Sequence, residues 1–389
     1  MRLSFSDDDV EFREQARTWL TEHAPSPADR PGSGPDMRTF DLEWQQAQHA
    51  GGWAGMDWPT EYGGRGATVT ESLIWQEEYA RTGLPGIDSR FVGLSHAGPT
   101  LMARATAEQK EAHLAPILRG DVLWCQGFSE PEAGSDLAAL KTRAVVDGDE
   151  LVVTGQKIWT SYADQADWQE LLVRTNHDVP KHKGITWVIC DMRLPGIEVR
   201  PIRTMDGHAE FCEVFYDEVR IPLRNIVGDV DGGWSVAMST LSFERGTAFT
   251  VHQVQLAESV EQLIAIAHDR SDDHGRPLLA DEELARALAR ARADCAALKA
   301  MTYMGVSRNA ATGQPGPEGS MLKLRWSELA KQVSRIALEV FGASALSRSD
   351  RQAGSWVEQF LLSFGFTIGG GTSEIQRNII AERVLGLPR

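Results

Sequence analysis

The chain has 389 residues, of which 42% are hydrophobic and 24% charged, the composition of an ordinary globular protein. This length exceeds what one compact core serves, so two or three packed regions are expected. Lysine and arginine number 39 against 55 aspartates and glutamates, for a formal net charge of −16. Such a chain is a poor candidate for binding nucleic acid or an anionic membrane surface. It must meet a polyanionic ligand with a local basic patch or with backbone dipoles.

The cysteines show neither metal-ligand spacing nor a dense disulfide pattern, which favours reduced thiols, a cytoplasmic location and no metal centre. They are Cys125, Cys190, Cys212 and Cys295. The N-terminal residues 1–15 carry acid where a signal peptide would carry base and an apolar run. No stretch approaches the roughly 18 apolar residues of a membrane span. The 12 tryptophans need a large core or aromatic ligands.

A helical pattern fills residues 1–124. After Phe5, apolar residues recur near helical spacing at Val10, Phe12, Ala16, Trp19 and Leu20. A Pro- and Gly-rich stretch at 25–35 ends this first helix. Further helices are predicted around 40–50, 68–82 and 107–119.

Strands are predicted in residues 125–229, where β-branched and aromatic residues alternate with polar ones. Asp147-Gly148-Asp149 separates two such runs and predicts a hairpin turn. Short strands without interleaved helices predict a small antiparallel barrel or sandwich.

Residues 230–389 return to a helical pattern, rich in Ala, Leu, Glu and Arg. Helices are predicted near 233–268, 281–311, 318–345, 351–364 and 373–384. The sequence therefore predicts an α+β fold of three domains, in the order helical, β and helical.

The segment 128–136 places hydroxyls beside a glycine-bearing turn at a strand edge. Hydroxyls and free amides in such a turn can bind the edge of a heterocycle or a phosphate oxygen. The alternative is a strand-ending turn in which Ser135 or Asp136 caps a helix.

The segment 155–161 pairs the flat ring of Trp159 with the hydroxyls of Thr160 and Ser161. This set suits a planar conjugated ligand. The alternative is a tryptophan packed in the core of the β-domain.

Three glycines, Gly369 to Gly371, precede a predicted helix for which Ser373 and Gln376 fit a capping box. Glycines let the backbone approach a ligand closely, and a helix N-terminus offers unpaired N–H groups to an anion or a carbonyl oxygen. A purely structural loop rarely needs three glycines, which favours a ligand.

Glu244 falls in a predicted helix, on a face of small and apolar residues. A carboxylate there either has a raised pKa or needs a partner, and a raised pKa suits a general base for C–H abstraction. Arg245 points about 100° away around the helix. The alternative is a glutamate at the edge of this face that reaches solvent.

These four segments together resemble the acyl-CoA dehydrogenase family, and the resemblance covers nearly the whole chain. It includes GWAGMDWPTEYGGRG and TAEQKEAHLAPILRGD near the N-terminus and SEIQRNIIAERVLGLP near the C-terminus. The family's helical domain, antiparallel β-barrel or sandwich and C-terminal four-helix bundle agree with the predicted order of domains.

The resemblance implies FAD as cofactor, held in two regions of the chain. The residues that match cofactor-contacting positions are Gln126, Gly127, Phe128, Ser129, Ser135, Trp159, Thr160, Ser161, Thr372 and Glu374. Among them, Ser161 would lie near the reactive flavin N5 and Ser135 near the pyrophosphate. The residues implied to contact substrate are Arg245, Gly370 and Ser135.

The position of the catalytic base distinguishes two groups within the family. Many members carry a Glu just before the Gly-Thr of the last loop, where this chain has Gly370. A minority, similar to the isovaleryl and long-chain enzymes, carry the base on the helix at the position of Glu244. The resemblance thus implies Glu244 as the base.

The implied reaction is α,β-dehydrogenation of an acyl-CoA or related acyl thioester. The Gly370 N–H and the flavin ribityl chain would polarise the thioester carbonyl. Glu244 would take the α-proton and FAD the β-hydride, and an electron-transfer flavoprotein would receive the electrons.

One loop departs from the family pattern. The usual Arg-x-x-Phe-Gly, whose Arg reaches the FAD of a neighbouring subunit, reads Ser-Asp-Asp-His-Gly at 271–275, and the usual Gln-x-x-Gly-Gly is altered at 339–343. We therefore hypothesise an oligomer in which a second acyl-CoA dehydrogenase-like polypeptide completes the site, as in the actinobacterial hetero-tetrameric enzymes.

Other flavoenzymes on this scaffold are the alternatives: a nitroalkane oxidase, an acyl-CoA oxidase or a flavin hydroxylase. Nitroalkane oxidases resemble this chain less, because they carry Asp at the position of Gly370, and acyl-CoA oxidases are usually longer. A non-catalytic partner subunit is the remaining alternative. The acyl substrate stays open among fatty, branched, steroid and biosynthetic thioesters.

Overall fold

The computed structural model describes residues 5–86, 88–243, 249–272, 274–312, 316–317, 319–346 and 351–388. The chain divides into two compact units. One, called the helical unit below, comprises Met1–Glu22, Thr68–Gly86 and Arg245–Arg389. The other, called the sheet unit, comprises His23–Ala67 and Ile87–Glu244. The three predicted domains are consecutive stretches of sequence, whereas these two units are defined by packing. The predicted domain boundaries therefore stay a prediction.

The helical unit contains the longer helices. They are α1 (Asp7–His23), α3 (Val69–Ala80), α7 (Phe249–Asp269), α8 (Glu282–Thr312), α9 (Gly319–Phe341), α10 (Arg351–Phe366) and α11 (Ser373–Ile379), with a π-helical turn at Ile380–Val384. Helices α7 to α10 share one apolar core that includes Leu263, Leu298 and Leu329, which is the predicted C-terminal bundle. On α1 the buried stripe is narrower than predicted, because Val10 is exposed.

The sheet unit carries shorter helices around a β-sheet. They are α2 (Gly34–Ala50), α4 (Gly98–Arg104), α5 (Ala107–Arg119) and α6 (Gly233–Phe243), with a π-helical turn at Val92–Ala97. The sequence predicted one helix over 233–268. The structure describes α6 and α7 within that range, and residues 244–248 between them lie outside the described residues.

The eight described strands form one sheet. They are β1 (Trp124–Gly127), β2 (Arg143–Asp147), β3 (Glu150–Ser161), β4 (Trp168–Arg174), β5 (Ile185–Asp191), β6 (Ile197–Ile202), β7 (Phe211–Pro222) and β8 (Ile226–Val227). Their order is β6-β7-β3-β2-β4-β5-β8, with β1 beside β4. The predicted antiparallel pairing holds except at β4, which pairs in parallel with β1 and, at Arg143 and Arg174, with β2. The predicted hairpin turn joins β2 to β3, with Gly148 at φ +64°.

Both faces of the sheet are buried at its central strands β4 and β5. Adjacent residues Leu171 and Leu172 on β4 enter two different apolar clusters, one enclosed by the strands and one against the helices. Alternation along a strand produces this division. Across the two units, eight of the 12 tryptophans are buried, as predicted. The four cysteines are buried and free. Within the described residues, no helix has the length and apolar character needed to cross a membrane.

Candidate active site

The predicted flavin-contacting segment 126–129 is tied to strand β3 by a buried ion pair. The Lys157 ammonium donates to the Phe128 carbonyl at 3.0 Å and to Glu130 Oε1 at 2.8 Å. The Ile158 N–H also donates to the Ser129 carbonyl at 3.0 Å. The backbone of segment 128–130 is therefore fixed relative to β3.

Glu130 extends the same anchor to the far end of its loop. Its two carboxylate oxygens accept hydrogen bonds from the backbone N–H groups of Lys141 and Thr142, at 2.6 and 2.9 Å. Although burial opposes ionisation, Lys157 and these donors hold the pKa of Glu130 below its usual value. Burial lowers the pKa of Lys157 to about 8, despite the attraction of Glu130. One buried pair thus closes the loop that carries Ser129 and Ser135.

Trp159 stands at a β-bulge in β3. The register of β3 against β7 shifts between Lys157 and Thr160, and Trp159 adopts φ +61°. Its indole is 55% exposed and meets the edge of Phe211 at 6.0 Å. A large aromatic side chain held outward on strained backbone favours a ligand contact over the core-packed alternative, which is wrong.

The two residues after Trp159 point in different directions. Ser161 is partly exposed, whereas Thr160 is completely buried and its hydroxyl has no hydrogen-bond partner among the described residues. The Thr160 side chain therefore faces the core. As a correction to the sequence analysis, only the backbone of Thr160 is left to contact a cofactor.

The turn that contains Ser135 is open. Ser135 is exposed, and a Cβ added to Gly134 would have no neighbour within 4 Å. Asp136 starts a short 3₁₀ turn without capping it, and its carboxylate instead pairs with Lys181 at 2.7 Å. An exposed planar side chain, open backbone and accessible hydroxyls fit a flavin with its phosphates, so these residues could hold FAD on the surface of the sheet unit.

Of the remaining segment 126–129, Gln126 and Ser129 are partly exposed, and Gly127 and Phe128 are buried. The Phe128 ring packs in the core between sheet and helices. Contacts of Phe128 and Gly127 with a cofactor are thus limited to their backbones.

In the helical unit, the glycine loop is held by two side chains. Gly370 and Gly371 both adopt left-handed backbone, at φ +63° and +90°. Buried Lys323 donates to the Gly371 carbonyl at 2.6 Å, and Gln376 donates to the Gly370 carbonyl at 2.8 Å. A Cβ added at Gly370 would approach no described atom more closely than Lys323 Cε, at 3.9 Å.

The N-cap of the helix after this loop lies one residue before the predicted cap. Thr372, with extended backbone, accepts the N–H of Ile375 and is the N-cap of α11. The predicted cap Ser373 is the first helical residue and donates to Glu328 on α9 at 2.7 Å. Glu374 is exposed and accepts from Arg377 at 3.3 Å. The cap must lie outside the helix, which excludes Ser373.

In the acidic loop after α7, the Asp272 carboxylate binds the backbone of its own turn. Asp272 Oδ1 accepts the backbone N–H groups of His274 and Arg276, both at 2.9 Å. These hydrogen bonds lower the pKa of Asp272, and the bond from the Arg276 N–H has the largest effect. Just before the loop, Arg270 stacks on Phe341 and donates to Ser344 at 3.2 Å. The guanidinium is thus engaged within its own unit.

Glu244 and Arg245, the predicted base and its neighbour, lie outside the described residues. The structure therefore gives no geometry for either of them.

Family models match almost the entire chain in three consecutive parts. They describe the acyl-CoA dehydrogenase N-terminal domain at residues 6–121, the middle domain at 125–219 and the C-terminal domain at 231–385. The chain belongs to the acyl-CoA dehydrogenase family. It is accordingly an enzyme of that class, a flavin-dependent oxidoreductase.

Curated relatives agree with the family. Acyl-CoA dehydrogenase IpdE1 of Mycobacterium tuberculosis is 37% identical, over 98% of both chains. FadE26 of the same organism is 35% identical, over 87% of this chain and 86% of its own length.

Two solved structures have the same fold as this chain. A structure titled Tcur3481-Tcur3483 steroid ACAD covers both chains completely, with a TM-score of 0.87 at 32% identity. The ChsE4-ChsE5 complex from Mycobacterium tuberculosis also covers both chains completely, with a TM-score of 0.86 at 33% identity.

Sequence reasoning missed the buried lysines that position these acyl-CoA dehydrogenase segments. Lys157 and Lys323 each donate to a backbone carbonyl of a predicted ligand-binding loop. A signal was present, since Lys157 occupies an otherwise inward-facing position of an alternating strand, where a charge requires a partner.

Proposed function

We propose that this acyl-CoA dehydrogenase oxidises the α,β bond of an acyl-CoA to the trans-2-enoyl-CoA, with Glu244 as the base and FAD as the cofactor. FAD, when bound, would supply the two-electron oxidation. The protein would hold the cofactor with Trp159, Ser161, Ser129 and Ser135, fix the thioester and take the α-proton.

The observation that carries this proposal is the bare backbone at Gly370. The loop has no side chain there, so it supplies no carboxylate, and a base must come from elsewhere in the chain. The Gly370 carbonyl is already held by Gln376. This contact fixes the peptide that joins Gly370 to Gly371. The N–H of exposed Gly370, which lies in the preceding peptide, would donate to a thioester oxygen and stabilise a developing enolate.

The same feature supports a bulky acyl group. A loop without a side chain at residue 370 leaves room beside the reacting carbons, and one structural relative is titled a steroid ACAD. We propose a steroid-type or similarly branched acyl thioester as the substrate and an electron-transfer flavoprotein as the electron acceptor.

A second acyl-CoA dehydrogenase-like subunit completes the proposed enzyme. The Asp272 carboxylate closes its own turn, and Arg270 is held by Phe341 and Ser344. Neither group is set to clamp a neighbour's pyrophosphate. One structural relative is titled as a complex of two different chains, ChsE4 and ChsE5, which supports such a partner.

Anaerobic titration of the purified protein with acyl-CoA esters tests the function. Yellow protein whose oxidised-flavin absorption is bleached by a steroid side-chain CoA more readily than by a straight-chain CoA is the expected result, with re-oxidation by electron-transfer flavoprotein. Protein that binds no flavin, or flavin that no acyl-CoA reduces, would contradict it. A homotetramer with one FAD per subunit would contradict only the proposal of a second, different subunit, and the proposed reaction would stand.

A further inference from the structure

A buried lysine holds the backbone of the glycine loop in the helical unit. Lys323 on α9 is 4% exposed, and its Nζ donates to the Gly371 carbonyl at 2.6 Å. Gln376 Nε2, on α11, donates to the preceding carbonyl, that of Gly370, at 2.8 Å. The two peptides that follow Gly370 and Gly371 are therefore each held by a side chain, and the two side chains come from different helices.

These contacts matter because glycine peptides rotate easily. Gly370 and Gly371 lie at φ +63° and +90°, and glycine has no Cβ that would restrict its backbone angles. In a planar peptide, the C=O and the N–H turn together. A buried side chain that binds the carbonyl therefore fixes the whole peptide, and with it the path of the loop.

The N–H of Gly370 lies between two anchored stretches of backbone. On its N-terminal side, the N–H groups of Ile368 and Gly369 donate to the Gly365 carbonyl of α10, at 3.0 and 2.9 Å. On its C-terminal side lie the two held carbonyls. No described residue accepts the Gly370 N–H, and this residue is exposed, so the donor is available to a ligand. Its direction depends on both anchors.

Packing alone does not explain a lysine at this position of α9. Its neighbours Leu322 and Trp326 belong to the apolar core of the bundle. A buried amine must replace its hydration with hydrogen bonds inside the protein, whereas an apolar side chain needs no such partner. What Lys323 adds is a donor on a long stem, which reaches the loop and binds its backbone.

We propose that Lys323 is a positioning residue for the reaction. By holding the Gly371 carbonyl, it keeps the loop in the conformation in which the Gly370 N–H donates to the thioester oxygen. This inference rests on the proposed function, which supplies the thioester. In this role Lys323 acts through the loop and does not contact the substrate. Loss of its contact should weaken the polarisation of the thioester and slow removal of the α-proton.

Infrared difference spectroscopy of a bound product tests this role without turnover. The probe is a trans-2-enoyl-CoA with an isotope label at its thioester carbon, bound to the oxidised holoenzyme, together with its partner subunit if one co-purifies. A hydrogen bond to the oxygen weakens the C=O bond, so wild-type protein should lower the stretching frequency of the carbonyl relative to free enoyl-CoA. In Lys323→Met this lowering should fall by at least half.

The kinetics of flavin reduction give a second readout. Lys323→Met should slow reduction at saturating acyl-CoA by about 10-fold or more. The acyl-CoA concentration at half-saturation should change much less, because the contact acts mainly on the transition state. Lys323→Gln keeps a shorter donor and should give intermediate values of the rate and of the infrared shift.

Lys331→Met on the same helix is the matched control. It removes a partly exposed lysine whose Nζ lies 3.7 Å from the Glu328 carboxylate and not on the loop. The infrared shift and the rate of flavin reduction should both stay at their wild-type values.

A wild-type infrared shift in Lys323→Met, with FAD bound, would overturn the inference even if this variant unfolds at lower urea, because the lysine would then serve stability alone. If Lys323→Met does not fold, a full wild-type shift in Lys323→Gln would overturn it. Wild-type protein whose flavin is reduced but which leaves the carbonyl frequency unchanged would also overturn it, while the proposed function stands. Wild-type flavin that no acyl-CoA reduces would overturn the proposed function, and this inference with it.

Discussion

The Lys157 ammonium lies 2.8 Å from a Glu130 carboxylate oxygen, completely buried in the sheet unit and two residues before the exposed Trp159. The pair connects β3 to both ends of the loop that carries the predicted flavin contacts. Its burial lowers the pKa of Lys157 to about 8, so desolvation outweighs the attraction of Glu130.

Alkaline pH should therefore stabilise the wild-type protein relative to Lys157→Met. Between pH 8 and the ordinary lysine pKa of 10.5, the unfolded chain holds a proton that the folded chain has released, so the free energy of unfolding rises with pH. The gain over this window is on the order of 3 kcal/mol. Urea unfolding at pH 7 and pH 10 measures this gain. If the free energy of unfolding changes with pH equally in wild type and Lys157→Met, Lys157 does not titrate in this window.

Trp159→Gly should separate flavin binding from stability. Glycine tolerates φ +61° and the indole is mostly exposed, so the free energy of unfolding should change by less than about 1 kcal/mol. FAD affinity should fall about 5-fold, since stacking on an aromatic ring is worth about 1 kcal/mol.

The matched control is Trp187→Phe, a completely buried tryptophan in the same sheet. It should lower stability by roughly 1–3 kcal/mol, through the cavity it leaves, and leave FAD affinity intact. Unchanged FAD affinity in Trp159→Gly would show that the Trp159 indole does not stack on the flavin.

Gly371→Ala should distort the glycine loop. The residue sits at φ +90°, and a new Cβ would lie 2.8 Å from the Gln376 amide nitrogen. We expect a loss of about 1–3 kcal/mol in stability and slower flavin reduction by acyl-CoA. Gly354→Ala within α10 is the control, because a Cβ there meets nothing within 4 Å. This helical substitution should stabilise by roughly 0.5–1 kcal/mol and not affect reduction.

Glu244→Gln should abolish reduction of the flavin by acyl-CoA while FAD stays bound, because an amide cannot take the α-proton. Stopped-flow absorbance measures the reduction, and Glu258→Gln on α7 is the control, because no role in the reaction is assigned to that glutamate. A near-normal rate of flavin reduction in Glu244→Gln would exclude Glu244 as the base. Adding Gly370→Glu should restore part of the rate if a loop carboxylate reaches the same carbon.

Much of the site was visible in the sequence because it consists of local signals. The glycine run before a helix, the hairpin at Asp147-Gly148-Asp149 and the order of helices and strands depend on neighbours a few residues away. The misplaced cap illustrates the limit of local signals. Ser373 and Thr372 both suit an N-cap, and the hydrogen bond from Ser373 to Glu328, 45 residues away, accompanies the choice between them.

Long-range pairing decided what the sequence left open. Whether Trp159 faces outward depends on a bulge against β7, and the parallel pairing of β1 with β4 brings Gln126 to Glu170. Neither relationship has a signature at short range.

The sequence by itself determined the class of protein, its order of helical and β regions and the absence of a loop carboxylate at residue 370. It also made the negative charge informative, since an acidic chain must hold a polyanionic cofactor with hydroxyls and backbone N–H groups. Only the tertiary structure decided which charges are internal. Lys157, Lys323 and Glu170 reach their partners across 27 to 48 residues, because burial makes a charge tolerable only where the fold brings a partner within hydrogen-bonding distance.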